Sequence, residues 1–163
     1  MSARVNGSKL AELYRLHAHH VLRRARQILG NEEDARETLQ EVFTALAHSP
    51  ESLDRAASIP AWLYGATTHH ALNTLRQRNN RARLVEENVR PLLALEAEPC
   101  AELVTSIRQL LSRMPEQLST VAVYYHLDGM THAEIAEVMG CSRRHVGNLL
   151  ERLADWAKKE GAA

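Results

Sequence analysis

The sequence predicts an all-α protein built as two small helical domains joined by a linker. Three observations carry that prediction. Apolar residues recur at spacings of three and four along most of the 163 residues, and nowhere alternate for long. Ala, Leu, Arg and Glu outnumber β-branched residues, while seven glycines and five prolines leave few breaks. The stretch 81–100 loses the apolar period and holds Pro91, Pro99, Glu86, Glu87, Glu96 and Glu98, which divides the chain.

Each element follows in order. Leu10, Leu13, Tyr14, His17, Val21, Ala25, Ile28 and Leu29 predict an amphipathic helix over about residues 8–29, stopped by Gly30. Asn31 opens a second helix, with Glu32, Glu33 and Asp34 at its positive dipole end and Ala35, Leu39, Val42, Phe43 and Leu46 on one face. It runs to about His48. The segment SPESLDRAASIP reads as a loop, and Pro60 suits the first turn of a third helix. Trp62, Leu63, Ala66, Leu72 and Leu75 line that helix, which is expected to end in RQRNNRAR. After the linker, Ile107, Leu110 and Leu111 mark one helix, and Leu118, Val121, Ala122 and Tyr125 a second. Residues 131–139 form a short third, and 142 to about 158 a fourth.

Composition narrows the function. Lys and Arg total 20, as do Asp and Glu, so any nucleic-acid binding must come from local placement of cations rather than a global field. Cys100 and Cys141 form no CxxC and no disulfide framework, which fits a reducing cytosol. The start MSARVNGSKL has no apolar signal core, and apolar runs are too short to span a membrane. A cytoplasmic protein is expected. A phosphate-binding Gly-rich loop, a nucleophile elbow and a paired-carboxylate constellation are all missing, so neither an enzyme nor a cofactor is expected. Nine histidines include His17, His19 and His20. His19 and His20 are adjacent and cannot share a face, and no Cys or carboxylate spacing completes a metal site.

The sharpest local signal is THAEIAEVMGCSRRHVGNLLERL. Thr131 with Glu134 makes a capping box, and Gly140 supplies the positive φ of a sharp helix end. Ser142 caps the next helix, whose stripe is Val146, Leu149, Leu150, Leu153 and Trp156. Short helix, Gly turn and longer helix make a helix-turn-helix, whose second helix enters the major groove. Arg143, Arg144, His145 and Asn148 stand at that helix start; Arg pairs bidentately with guanine and Asn with adenine. The plain alternative is a solvated face on a protein-binding helical domain. Cys141 sits where a helix N-terminus lowers a thiol pKa, yet it reads chiefly as a small turn residue.

Together the two clusters resemble a bacterial RNA polymerase sigma factor of the extracytoplasmic-function group. EDARETLQEVFTAL is similar to the family's acidic helix ending in Q-E-V-F, and IPAWLYGATTHHALNTLRQR to its promoter-melting, −10-reading helix. Residues 114–153 resemble region 4, which reads the −35 element. The resemblance divides the chain into a region 2-like domain (1–80), a linker (81–100) and a region 4-like domain (101–163). It implies that Asp34, Glu37, Gln40, Glu41 and Phe43 dock onto the β′ clamp helices of core polymerase, with the β flap as a further contact. It places Ser58, Trp62, Tyr64, Thr68, His69 and Asn73 on the −10 element, and Arg76 and Arg78 on phosphates. Trp62 fits a core position equally well. Thr131, Ser142, Arg143, Arg144, His145, Asn148 and Arg152 fall on the −35 side. Promoter DNA, core polymerase and an anti-sigma factor are the implied partners, without membrane insertion.

The chain departs from the family at two places. Thr68 and His69 replace a basic residue and Asn, and Asn73 replaces an acidic one. Val146, Gly147, Asn148 and Leu149 replace a Val-Lys-Ser-Arg-like stretch, which removes two cations and flattens the salt dependence by about one unit per lost phosphate contact. Protonation of His69 and His70 at roughly pH 6 adds charge beside DNA, so binding is expected to strengthen on mild acidification. Two other readings stay open at this level. One is a sigma-like decoy that captures an anti-sigma factor; the other is a stand-alone helix-turn-helix regulator.

Overall fold

The computed structural model describes residues 6–86 and 99–161. Residues 87–98, most of the expected linker with Glu87, Pro91, Glu96 and Glu98, lie outside the described residues. The described residues are helical and contain no strand.

Three helices build the first part. Helix α1 (Gly7–Leu29) starts where the Asn6 side chain accepts from the Lys9 amide at 2.9 Å, and ends at Gly30 with φ 67°. That left-handed conformation is the one glycine adopts freely. Helix α2 (Glu32–His48) is capped by the Asn31 side chain at 3.0 Å from the Asp34 amide. Its acidic first turn complements the helix dipole, as read from the sequence. Helix α3 (Ile59–Glu86) is capped by Ser58, whose hydroxyl accepts from the Ala61 amide at 3.2 Å. Leu13, Val21, Leu39, Val42, Phe43, Leu46 and Leu63 form one core among these helices.

The second part comprises α4 (Pro99–Arg113), α5 (Glu116–Ala122), α6 (His132–Met139) and α7 (Arg143–Gly161). Ile135, Val146 and Leu149 are completely buried there. The two parts do not stand apart. Ala25, Ile28, Leu29, Leu72 and Leu75 share one hydrophobic cluster with Leu111, Met114, Leu118, Val121 and Tyr124. Burying apolar surface from both sides of the linker in one cluster is what holds them together.

Three details differ from the sequence expectation. The segment read as a loop contains a 3-10 turn, Pro50–Arg55, started by a proline whose fixed φ suits a first helical turn. Helix α3 continues three residues beyond the run RQRNNRAR in which it is expected to end, because that run is polar but holds no glycine or proline to stop it. Tyr125 was assigned to a buried stripe, yet it is 40% exposed while Tyr124 is 2% exposed. A π-helical turn, Val123–Leu127, follows α5, and within it Tyr124 is buried by stacking on Tyr64 of α3 at 5.5 Å, on a different side from the stripe of α5.

Candidate nucleic-acid interface

The helix-turn-helix forms as its sequence dictates. The Glu134 amide donates to Thr131 Oγ1 at 3.3 Å, and the Thr131 amide donates back to Glu134 Oε2 at 2.7 Å. The Thr131 amide and hydroxyl, both donating to Glu134 Oε2, hold that carboxyl below the usual carboxylate range. Gly140 adopts φ 65°, and the Cys141 amide reaches Ala136 O at 3.0 Å to close the turn. Ser142 Oγ accepts from the His145 amide at 3.1 Å and starts α7. Burial pushes the Cys141 thiol up, so the helix end does not activate it.

This scaffold buries Val146, Leu149 and Leu153 and leaves Arg143, Arg144, His145, Asn148 and Arg152 exposed on the opposite side of α7. None of those five joins a salt bridge among the described residues. An uncommitted cation pair beside an amide is the equipment for reading a major groove. Gly147 lies in the same helix, and a Cβ there would meet nothing within 4 Å. Gly147→Ala is therefore expected to raise stability by about 1 kcal/mol in a urea melt.

The acidic face of α2 is also presented. Glu37, Gln40 and Glu41 are exposed at helical spacing, beside a shallow groove that also includes Thr44 and His48. Two residues expected on this face are placed otherwise. Phe43 is 7% exposed and packs edge-on against Tyr14, ring centroids 5.0 Å apart, so it fixes the helix rather than offering a contact. Asp34 is half-buried and ion-paired with Arg78.

The residues of α3 expected on DNA meet a different fate. Thr68 is completely buried, and its hydroxyl donates to Tyr64 O at 2.9 Å. Tyr64 donates to Asp128 and stacks on Tyr124 at 5.5 Å. Burial first, then that hydrogen bond, raises its phenol pKa. Arg76 donates to Ser119 Oγ at 2.8 Å, and His69 Nδ1 lies 2.9 Å from Glu116. Trp62 is half-buried against the first core and lines a crevice of about 380 Å³ shared with Glu137, Val138 and Met139 of α6. Ser58 and Asn73 remain exposed. His70 Nδ1 faces Glu41 at 3.2 Å.

Sequence reasoning missed the groups that hold this seam. Arg24 makes two 2.7 Å bonds to Asp128, and its guanidinium lies 4.4 Å from the Tyr64 ring centre. Arg108 donates to Ile28 O at 2.8 Å and Gln27 O at 3.3 Å, over Gly30. One signal was available: Arg24 is a cation between Val21, Ala25 and Ile28 on the apolar side of α1. Its partner, over a hundred residues away, left none. No group of three His, Cys, Asp or Glu is placed to hold a metal among the described residues. No helix among them is long and apolar enough to cross a membrane.

A helical bundle carrying an acidic face, followed by a helix-turn-helix with an open polar second helix, defines a modular helical protein of the DNA-binding kind. Comparison with known proteins makes this specific. Sigma-70 region 2 matches residues 13–81, and sigma-70 region 4 matches residues 105–153. The ECF RNA polymerase sigma factor SigW of Bacillus subtilis (strain 168) is 23% identical over 129 residues, 69% of this chain and 67% of that protein. CnrH, solved in complex with the cytosolic domain of CnrY, superposes with a TM-score of 0.53 at 18% identity, covering 97% of this chain and 92% of that one. The sigma factor RpoE from Bartonella quintana, solved with the anti-sigma factor NepR, gives 0.50 at 12% identity, covering 89% and 91%. These two structures show a shared fold. The chain belongs to the sigma-70 family, in its extracytoplasmic-function group.

Proposed function

We propose that this chain is a dissociable initiation factor of the bacterial cytoplasm that lends promoter specificity to core RNA polymerase and carries no catalysis of its own. Residues 1–80 act as the polymerase-docking and −10 half, and residues 101–163 as the −35 half. Glu37, Gln40 and Glu41 meet the β′ clamp helices, where an acidic face gains specificity from a basic partner. Phe43, packed on Tyr14 behind that face, and Asp34, paired with Arg78 one turn before it, hold the face in place. Arg143, Arg144, His145 and Asn148 read the −35 element, with Arg152 on the backbone and Thr131 and Ser142 fixing the helix ends. The −10 work falls to Ser58, Trp62, Tyr64, Thr68, His69 and Asn73 with Arg76 and Arg78. The observation that carries this reading is the presence of both regions, in order, with the acidic face and the α7 face each open to solvent. Two solved neighbours are held by CnrY and by the anti-sigma factor NepR, and regulation of this chain by an anti-sigma protein belongs to the same proposal.

Gel filtration of the chain with purified bacterial core polymerase tests the docking half. Co-elution is expected, and a chain that elutes alone would contradict the proposal. A second reading, a decoy for an anti-sigma factor, draws on the engagement of the α3 side chains by the chain itself. Stable binding to core that never yields an open promoter would favour it.

A further inference from the structure

We propose that the groove between α1 and the first half of α3 binds an amphipathic organic anion, a small molecule with a carboxylate or phosphate head on an apolar body. The groove encloses about 540 Å³, within the range of small-molecule sites. Its floor is apolar, with Val21 and Leu63 each 3% exposed beside Pro60. Thr67 also lines it, but its hydroxyl already donates to Leu63 O at 2.6 Å. The free polar groups come from one face of α1, where His17, His20, Arg23 and Gln27 follow at spacings of three and four. Among the described residues, none of these side chains has a hydrogen bond or an ion pair. Tyr64 apart, no residue lining the groove carries a promoter or polymerase role above.

The sign of the ligand's charge follows from the groups left over. Arg24 and Asp128 line the groove too, but they neutralise each other through two 2.7 Å bonds, and Tyr64 donates to the same carboxylate. What remains is the Arg23 guanidinium with two imidazoles, and no uncommitted carboxylate. A metal cation would be repelled by the guanidiniums and would find only two imidazole ligands there. An anion instead meets a charged donor at Arg23, amide donors at Gln27 and imidazole donors at His17 and His20. The ionisable groups around these imidazoles are His19, Arg23 and Arg24 on α1, Tyr64 on α3, and Asp128. Desolvation, then repulsion from His19, Arg23 and His17, lowers the His20 pKa. A bound anion offsets that repulsion, so binding takes up a proton and tightens as pH falls.

The test uses the full chain and the fluorescent probe 8-anilinonaphthalene-1-sulfonate, whose head stays charged at every pH used and whose rings suit an apolar floor. Wild type is expected to bind the probe and to release it to decanoate but not to decanol. Arg23→Glu is expected to weaken binding about tenfold. Arg15→Glu, an exposed position on the same helix outside the groove, is expected to leave it unchanged. Both variants should melt at the wild-type temperature, which separates a lost contact from misfolding. Affinity is expected to be about three- to tenfold higher at pH 6 than at pH 8, and His20→Gln to reduce that dependence. A chain that takes no probe, a flat wild-type pH profile, or equal weakening by Arg15→Glu and Arg23→Glu overturns the proposal. Displacement by oligothymidylate as readily as by decanoate overturns it too, and makes the groove a nucleic-acid strand site instead.

Discussion

Replacing Arg143 and Arg144 together by alanine is expected to weaken holoenzyme binding to a promoter duplex about 10- to 100-fold, with an unchanged melting temperature. Both side chains are exposed at the start of α7 and tie up no other group, so their loss leaves the fold alone. A bidentate contact to a base is worth roughly 1–3 kcal/mol of discrimination, and each lost phosphate contact flattens the salt dependence by about 0.9. Titrations at several salt concentrations separate the two roles. Loss of sequence discrimination at constant slope assigns the pair to bases, whereas a slope reduced by about two units assigns it to phosphates. Unchanged affinity would remove α7 from the −35 interface.

Charge reversal on α2 gives the second large effect. Glu37→Lys with Glu41→Lys is expected to lower affinity for core polymerase at least about tenfold, since like charges placed together at an interface cost on the order of 2 kcal/mol or more. Both side chains are exposed, so the melting temperature should hold. Phe43→Ala behaves in the opposite way. It empties a core position packed against Tyr14 and is expected to cost about 3–5 kcal/mol of stability. Fluorescence anisotropy against labelled core, alongside thermal melts, distinguishes the contact residues from the residue that positions them. If charge reversal leaves affinity unchanged, the docking face lies elsewhere.

The helices and the helix-turn-helix were legible because local chemistry specifies them. Asn31, Thr131 and Ser142 cap where their side chains reach the next free amides, and Gly30 and Gly140 take the left-handed turn. The exposed face of α7 followed from the same period that buries Val146 and Leu149. What local pattern cannot encode is the pairing of distant segments. Arg24 with Asp128, Arg76 with Ser119 and Arg108 with the end of α1 join the two halves, and none of these pairs lies close in sequence. Thr68 looked like a polar residue on a DNA-facing helix, but a hydroxyl bonded to its own backbone can be buried without penalty. Tyr124 rather than Tyr125 is the buried tyrosine because it packs on Tyr64 of α3, a contact that no local period encodes.

Run-off transcription with bacterial core polymerase, this protein and a pool of genomic promoters tests the central claim most directly. Discrete transcripts that require the protein, and that weaken with Arg143→Ala and Arg144→Ala, are the predicted result. A polymerase that binds the protein yet initiates nowhere in the pool would contradict it.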